Sequence, residues 1–191
     1  MCAKLLKSNP ENTIKWSGGK TTELFISPVG SSYADRNFDF RLSTATVEVD
    51  ESVFTALSGV SRVLMVLEGQ MNLTHENEHK AELAKFDVDH FEGGWKTASF
   101  GTCTDFNLML RNDCRGSVEG FDLIADSKIK YDFDERPELF FYAFKGNLII
   151  TLNDKPHKLE QGDMLCLEES ECFLIELSAN EDASLVVVQV K

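Results

Sequence analysis

Along Asp105-Phe106-Asn107-Leu108-Met109-Leu110 polar and apolar side chains alternate with period two, the spacing of a β-strand. Phe106, Leu108 and Leu110 fall on one face, and Asp105, Asn107 and Met109 on the other. The same period sets Arg41, Ser43, Ala45 and Val47 against Phe40, Leu42 and Thr44 in the stretch from Asp39 to Val49. Further strands are expected over Leu24–Pro28, after the Gly18-Gly19 turn, and over Ser61–Gly69, which closes on a hairpin-type Glu-Gly. A half-exposed antiparallel strand would turn Asp105 and Asn107 to water, whereas a concave site would make a carboxylate and an amide converge.

The pattern repeats. Leu67-Glu68-Gly69-Gln70-Met71-Asn72-Leu73, followed by Leu83 and Asp87, is echoed by Phe144-Lys145-Gly146-Asn147-Leu148-Ile149-Ile150, Leu159 and Asp163, at an offset of 76 to 77 residues. After Gly162-Asp163 come two more β runs, Met164–Leu167 and Cys172–Leu177. Strands recurring at roughly 8–12 residues with turn residues between them indicate a jelly roll rather than helices alternating with strands. The repeat is too long for a solenoid module, so it predicts two β-barrels in tandem, over residues 1–110 and 111–191. The polar, turn-forming Arg111–Gly116 marks the junction, and an exchange of strands between the halves is allowed for. Val118–Tyr131 is expected as a strand crossing back to its partner.

Composition narrows the partners. With 191 residues, 42% hydrophobic positions, 14 Phe and only 4 Pro, the chain has the means to bury a core and is not disordered. A formal charge of −13 disfavours nucleic acid and anionic membrane surfaces, both of which select clustered Lys and Arg. Five cysteines, at 2, 103, 114, 166 and 172, form no C-x-x-C pair, and the odd number suits reduced thiols in a cytoplasm. The N-terminal residues carry no signal-peptide pattern, and no stretch approaches the ~18 apolar residues of a membrane helix.

Two short motifs resemble chemistry that their context refuses. Gly18-Gly19-Lys20-Thr21-Thr22 lacks the spacing of a phosphate-binding loop and leads into a strand, so the glycines serve a turn that needs positive φ or a close backbone approach to a ligand. His75-Glu76-Asn77-Glu78-His79 matches H-E-x-x-H, yet only a helix aligns that motif for zinc, and these residues are expected at a hairpin tip between β runs. His90 is expected as a surface or packing histidine.

Taken together, Trp16-x-Gly-Gly-x-Thr-x-Glu23, Phe40-Arg41-x-Ser43-x-Ala45, Phe54-x-x-Leu57-x-Gly59-x-x-Arg62, Phe91-x-Gly93 and Asp105-Phe-Asn-Leu-Met109 resemble the HutD/Ves family. The motifs span the first two thirds of the chain; Ser17 stands where that family usually has Asn. The resemblance implies an all-β fold of tandem cupin-like jelly-roll barrels, a bicupin in a single compact chain. It also implies a cytoplasmic protein found in some bacteria with histidine-utilisation genes. Metal-dependent cupins carry a His-x-His after the first glycine, a downstream Glu and a further His; this chain offers His75 and His79 but no His-x-His after Gly69, and only His157 after Gly146. No metal and no other cofactor is therefore expected.

What survives is a polar set: Arg41, Ser43, Arg62, Asp105 and Asn107, joined by Thr21 and Trp16. Arginine forks bind a carboxylate, while an Asp beside an Asn amide reads an amine, amide or imidazole. The competing reading is an internal network in which Arg41 or Arg62 pairs with Asp105 and no ligand is needed. The expected function is non-catalytic binding of, or regulation by, a small anionic metabolite; that it belongs to amino-acid breakdown, as a glutamate derivative or urocanate does, is what the resemblance implies. The alternatives are a cupin enzyme, metal-dependent or using Asp105 as proton acceptor, and a structural or interaction role. No nucleophile stands beside a base in sequence, and no catalytic residue is assigned. The expected partners are the metabolite and, as a further option, a second copy in a homodimer.

Overall fold

The computed structural model describes residues 2–133, 137–168 and 174–191. In chain order the strands are β1 (Cys2–Leu6), β2 (Thr13–Trp16), β3 (Gly19–Ser27), β4 (Phe40–Val47), β5 (Glu51–Val53), β6 (Ser61–Gly69), β7 (Met71–His75), β8 (Lys80–Leu83), β9 (Val88–Glu92), β10 (Thr97–Phe100), β11 (Cys103–Leu110), β12 (Gly116–Leu123), β13 (Lys128–Tyr131), β14 (Glu138–Lys145), β15 (Leu148–Leu152), β16 (Lys155–Leu159), β17 (Met164–Glu168), β18 (Ile175–Ser178) and β19 (Ala183–Val190). The chain is nearly all β: among the described residues there is no α-helix, only a 3₁₀ turn at Pro10–Asn12, and no helix long and apolar enough to cross a membrane.

Two compact units form, one from residues 9–115 and one from residues 1–8 with 116–191. In the first, a six-stranded sheet of order β2-β3-β4-β11-β6-β9 accompanies a four-stranded sheet of order β5-β10-β7-β8. In the second, the sheets run β1-β17-β14-β19-β12 and β13-β18-β15-β16. Strand for strand these orders coincide: β9-β6-β11-β4 matches β17-β14-β19-β12, and β5-β10-β7-β8 matches β13-β18-β15-β16. What differs is the extension, β3 and β2 beyond β4 in one unit and β1 beyond β17 in the other.

The echo seen in sequence is an echo of backbone geometry. Gly69 and Gly146 turn their hairpins at φ +82° and +69°. Next, Asp87 Oδ2 accepts from the Ala84 amide at 2.9 Å, as Asp163 Oδ2 does from the Glu160 amide at 2.9 Å. Each carboxylate ties off the turn that opens the following strand, which is why an Asp recurs there.

The 116–191 unit is filled by Leu139, Phe141, Ile150, Leu165, Leu177 and Val187 among others, all essentially buried. In the 9–115 unit Leu64, Val66, Met71, Leu73 and Phe91 pack together, and Phe38, Leu57, Val60 and Met109 form a second cluster. One expectation needs correcting: Val118–Tyr131 is not a single crossing strand. β12 and β13 belong to different sheets, separated by a turn in which the Ser127 amide donates to the Ile124 carbonyl at 3.0 Å. The expected start of a strand at Cys172-Phe173 lies outside the described residues, and β18 runs from Ile175.

Candidate functional site

Antiparallel register turns the alternation of three strands into a grid, because directly paired residues share a face. β11 lies between β4 and β6. Met109 pairs with Arg41 on one side and Arg62 on the other, Asn107 with Ser43 and Leu64, and Asp105 with Ala45 and Val66. β3 extends two rows, Glu23 beside Ser43 and Thr21 beside Ala45. This face opens on a cleft of about 460 Å³ lined by all seven expected residues, Trp16, Thr21, Arg41, Ser43, Arg62, Asp105 and Asn107.

The turn before β3 seats the cleft's aromatic wall. A Cβ on Gly18 would lie 2.1 Å from the Trp16 ring, and one on Gly19 would lie 1.9 Å from the Thr46 carbonyl oxygen. The Gly-Gly pair thus serves close approach within the protein: the indole packs on bare backbone, and its Nε1 donates to Thr21 Oγ1 at 3.2 Å.

The two arginines differ in kind. Arg41 is committed: its Nε donates to Glu23 Oε2 at 2.7 Å, its Nη1 donates to Ser43 Oγ at 3.0 Å, and its guanidinium lies 4.7 Å from the Tyr33 ring centre. Arg62 is buried between Phe54 and Phe91, at 4.7 and 4.9 Å from their ring centres, and its Nε has no hydrogen-bond partner. Burial pushes the Arg62 guanidinium down to about 10, opposed by the nearby Asp105 charge.

Asp105 is 4% exposed, and burial pushes its carboxyl up to about 7 while Arg62 pulls it down. Beside it the Oδ1 of Asn107 is buried without a partner. The internal pairing of Arg41 or Arg62 with Asp105 is not what forms; among the described residues the ion pair of this site is Arg41–Glu23. Glu23 and Tyr33 went unassigned in the sequence. Glu23 stands within the quoted Trp16–Glu23 motif, but a register shift between Glu23 and Phe25 hides which way it faces.

Chemically, the cleft offers an uncommitted guanidinium, a carboxyl that burial pushes up to about 7 and an amide, with aromatic walls. Among the described residues no histidine lines it.

No match was found among curated proteins. The structure is similar to a conserved protein of unknown function from Pseudomonas aeruginosa, at 23% identity over the whole of both chains with a TM-score of 0.83. It is similar to HutD from Pseudomonas fluorescens, at 18% identity over the whole of both chains with a TM-score of 0.71. A cupin 2 conserved barrel domain protein from Leptotrichia buccalis shares the fold at 10% identity, over 98% of each chain, with a TM-score of 0.57. The fold is thus cupin-like, and since the HutD family model matches residues 8–186, the chain belongs to the HutD family.

Proposed function

We propose that the protein binds a small anionic metabolite in the cleft of the 9–115 unit, as a non-catalytic sensor or scavenger in the cytoplasm linked to histidine utilisation. Membership of the HutD family supports the link, and the buried thiol of Cys103 suits a reducing compartment. The observation that carries the reading is Arg62: a guanidinium buried without a carboxylate or hydrogen-bond partner, held between two rings and facing a cleft. A buried charge left unpaired is costly, and a ligand carboxylate supplies the bidentate partner that the fold withholds. Asp105 and Asn107 then read the ligand's other end.

The test is thermal unfolding of the purified chain with glutamate derivatives, urocanate and related breakdown intermediates. A ligand at a hundredfold excess over Kd stabilises the native state by about 2.7 kcal/mol. Arg62→Ala should abolish that gain, since removing one partner of a buried charge pair costs on the order of 2–5 kcal/mol of binding. No shift with any of these anions, in a protein that Arg62→Ala strongly destabilises, would remove the reading.

One observation favours a second reading, an enzyme. A carboxyl pushed up to about 7 inside a cleft is suited to accept or donate a proton at neutral pH. Turnover of any bound metabolite, lost in Asp105→Asn with binding retained, would establish it.

A further inference from the structure

We infer that His75, His79 and Asp89 form a binding site for one divalent transition-metal ion of the zinc class. His75 and His79 are four residues apart on a hairpin rather than a helix. The His75 amide donates to the His79 carbonyl at 2.9 Å across a three-residue tip that turns at Asn77, φ +63°. Residues facing each other in this way share a side of the hairpin, and the two imidazole rings lie 4.5 Å apart. β9 brings Asp89 against both: its Oδ2 is 2.8 Å from His75 Nε2 and its Oδ1 is 2.8 Å from His79 Nε2. The three ligand atoms lie within 4.8 Å of one another. Zinc holds imidazole nitrogen and carboxylate oxygen at ~2.0–2.2 Å, so ligands sharing one ion stand roughly 3–4 Å apart. Displacements well under the size of an atom complete the set.

The group behind His75 suits a ligand role. Thr97 Oγ1 stands 2.8 Å from His75 Nδ1, with the Trp95 carbonyl 3.4 Å away on its other side. With a metal on Nε2, the ring's remaining proton would sit on Nδ1 and be donated to that hydroxyl. The arrangement is that of a metal-ligating histidine fixed by a hydroxyl behind it. The alternative is a plain hydrogen-bonded His–Asp–His network, and the experiment below separates the two.

The surroundings agree. His75 is buried against Phe91, at 4.6 Å between ring centres, with the Trp95 edge beside both imidazoles. His79 keeps 39% of its side chain exposed, which provides an entry path and leaves a coordination position toward solvent. Two imidazoles and one carboxylate suit zinc, nickel, cobalt or ferrous iron over magnesium or calcium. The site does not require the cleft to bind an anion, although the Phe91 ring that flanks His75 also flanks Arg62.

The full chain, stripped with chelator, is titrated with cobalt(II) and then zinc(II). The expected result is one equivalent of cobalt per chain, the visible absorption of a four- or five-coordinate ion, and its displacement by zinc. His79→Ala, at an exposed hairpin tip that folding tolerates, should weaken binding at least tenfold, as should Asp89→Asn. Thr97→Val, which removes only the hydroxyl behind His75, should weaken it roughly 10–100-fold. His90→Ala should change nothing, since His90 is exposed on the opposite face of β9. Absence of saturable binding in the unaltered chain would overturn the proposal and leave a proton-bridged His–Asp–His network. Equal affinity in His79→Ala would overturn it as well.

Discussion

Arg62 and Asp105 bring opposite charges into one cleft from β6 and β11 and do not close on each other. Among the described residues neither has an ion-pair partner, and the two pull on one another only across the cleft. Contact would have spent both charges internally, as it has for Arg41 and Glu23 at 2.7 Å.

The contrast between the arginines should be visible without ligand. Arg41→Ala breaks a charge-assisted bond to Glu23 and the bond to Ser43, and with Glu23 one third exposed the cost should be about 1–2 kcal/mol. Arg62→Ala loses its stacking on Phe54 and Phe91 but also relieves an unpaired buried charge, so its net effect should stay within about 1 kcal/mol. Urea unfolding of the two variants measures both; a larger loss for Arg62→Ala would assign it a structural role.

Asp105 should leave a mark on the pH dependence of stability. Its folded value, about 7, lies above the ordinary 3.8, so between those values the folded state holds a proton that the unfolded chain releases. Stability therefore falls as pH rises through that window and levels off above it. Asp105→Asn removes this slope. The stability difference, variant minus unaltered, should grow in the variant's favour from about pH 4 to about pH 7 and then stay constant. A difference that is flat with pH would show that the carboxyl is not held up by burial.

Much of this was legible because strand chemistry has a short period. Arg41 and Ser43, Asp105 and Asn107 were grouped by alternation alone, and pairing β4 to β11 placed all four on one cleft. The hairpin glycines exposed the duplication in the same way, since Gly69 and Gly146 both need positive φ. Partners that arrive through irregular backbone were not legible. Glu23 sits at a register shift, Tyr33 comes from the loop between β3 and β4, and Asp89 meets His75 and His79 only once β9 has paired with β6. No periodicity in the chain encodes those meetings.

Gly18 has a specific cost of substitution. In Gly18→Ala the new Cβ would overlap the Trp16 ring, so the indole must swing away and lose its bond to Thr21. The fluorescence of Trp16, isolated in a Trp95→Phe background, should report greater solvent exposure. Unchanged emission would mean the ring does not rest on the glycine.

In the other unit, Asp163 accepts from Ser8 N at 3.1 Å, Glu160 N at 2.9 Å and Lys7 Nζ at 2.8 Å. Burial raises its carboxyl, but the bonds from Lys7, Glu160 and Ser8 outweigh that and hold it below the ordinary range. Its contribution is therefore present above the usual carboxylate range and lost as pH falls through the lowered folded value. Asp163→Asn should destabilise by about 1–3 kcal/mol at neutral pH and by progressively less in acid, measured by urea unfolding. A loss independent of pH would point to the turn bonds alone.

β1 pairs with β17, so Lys7 and Asp163, 156 positions apart, must meet. On a ribosome adding ~5–20 residues per second, the strand waits roughly ten to thirty seconds for its partner. Through that interval Cys2–Leu6 has no strand to pair with, and an unpaired β-forming segment is open to pairing with a neighbouring nascent chain. Lys4 within it and Lys7 just beyond, both exposed in the finished protein, place charge on the waiting edge. Their value would be felt during synthesis, before the bonds they later border exist.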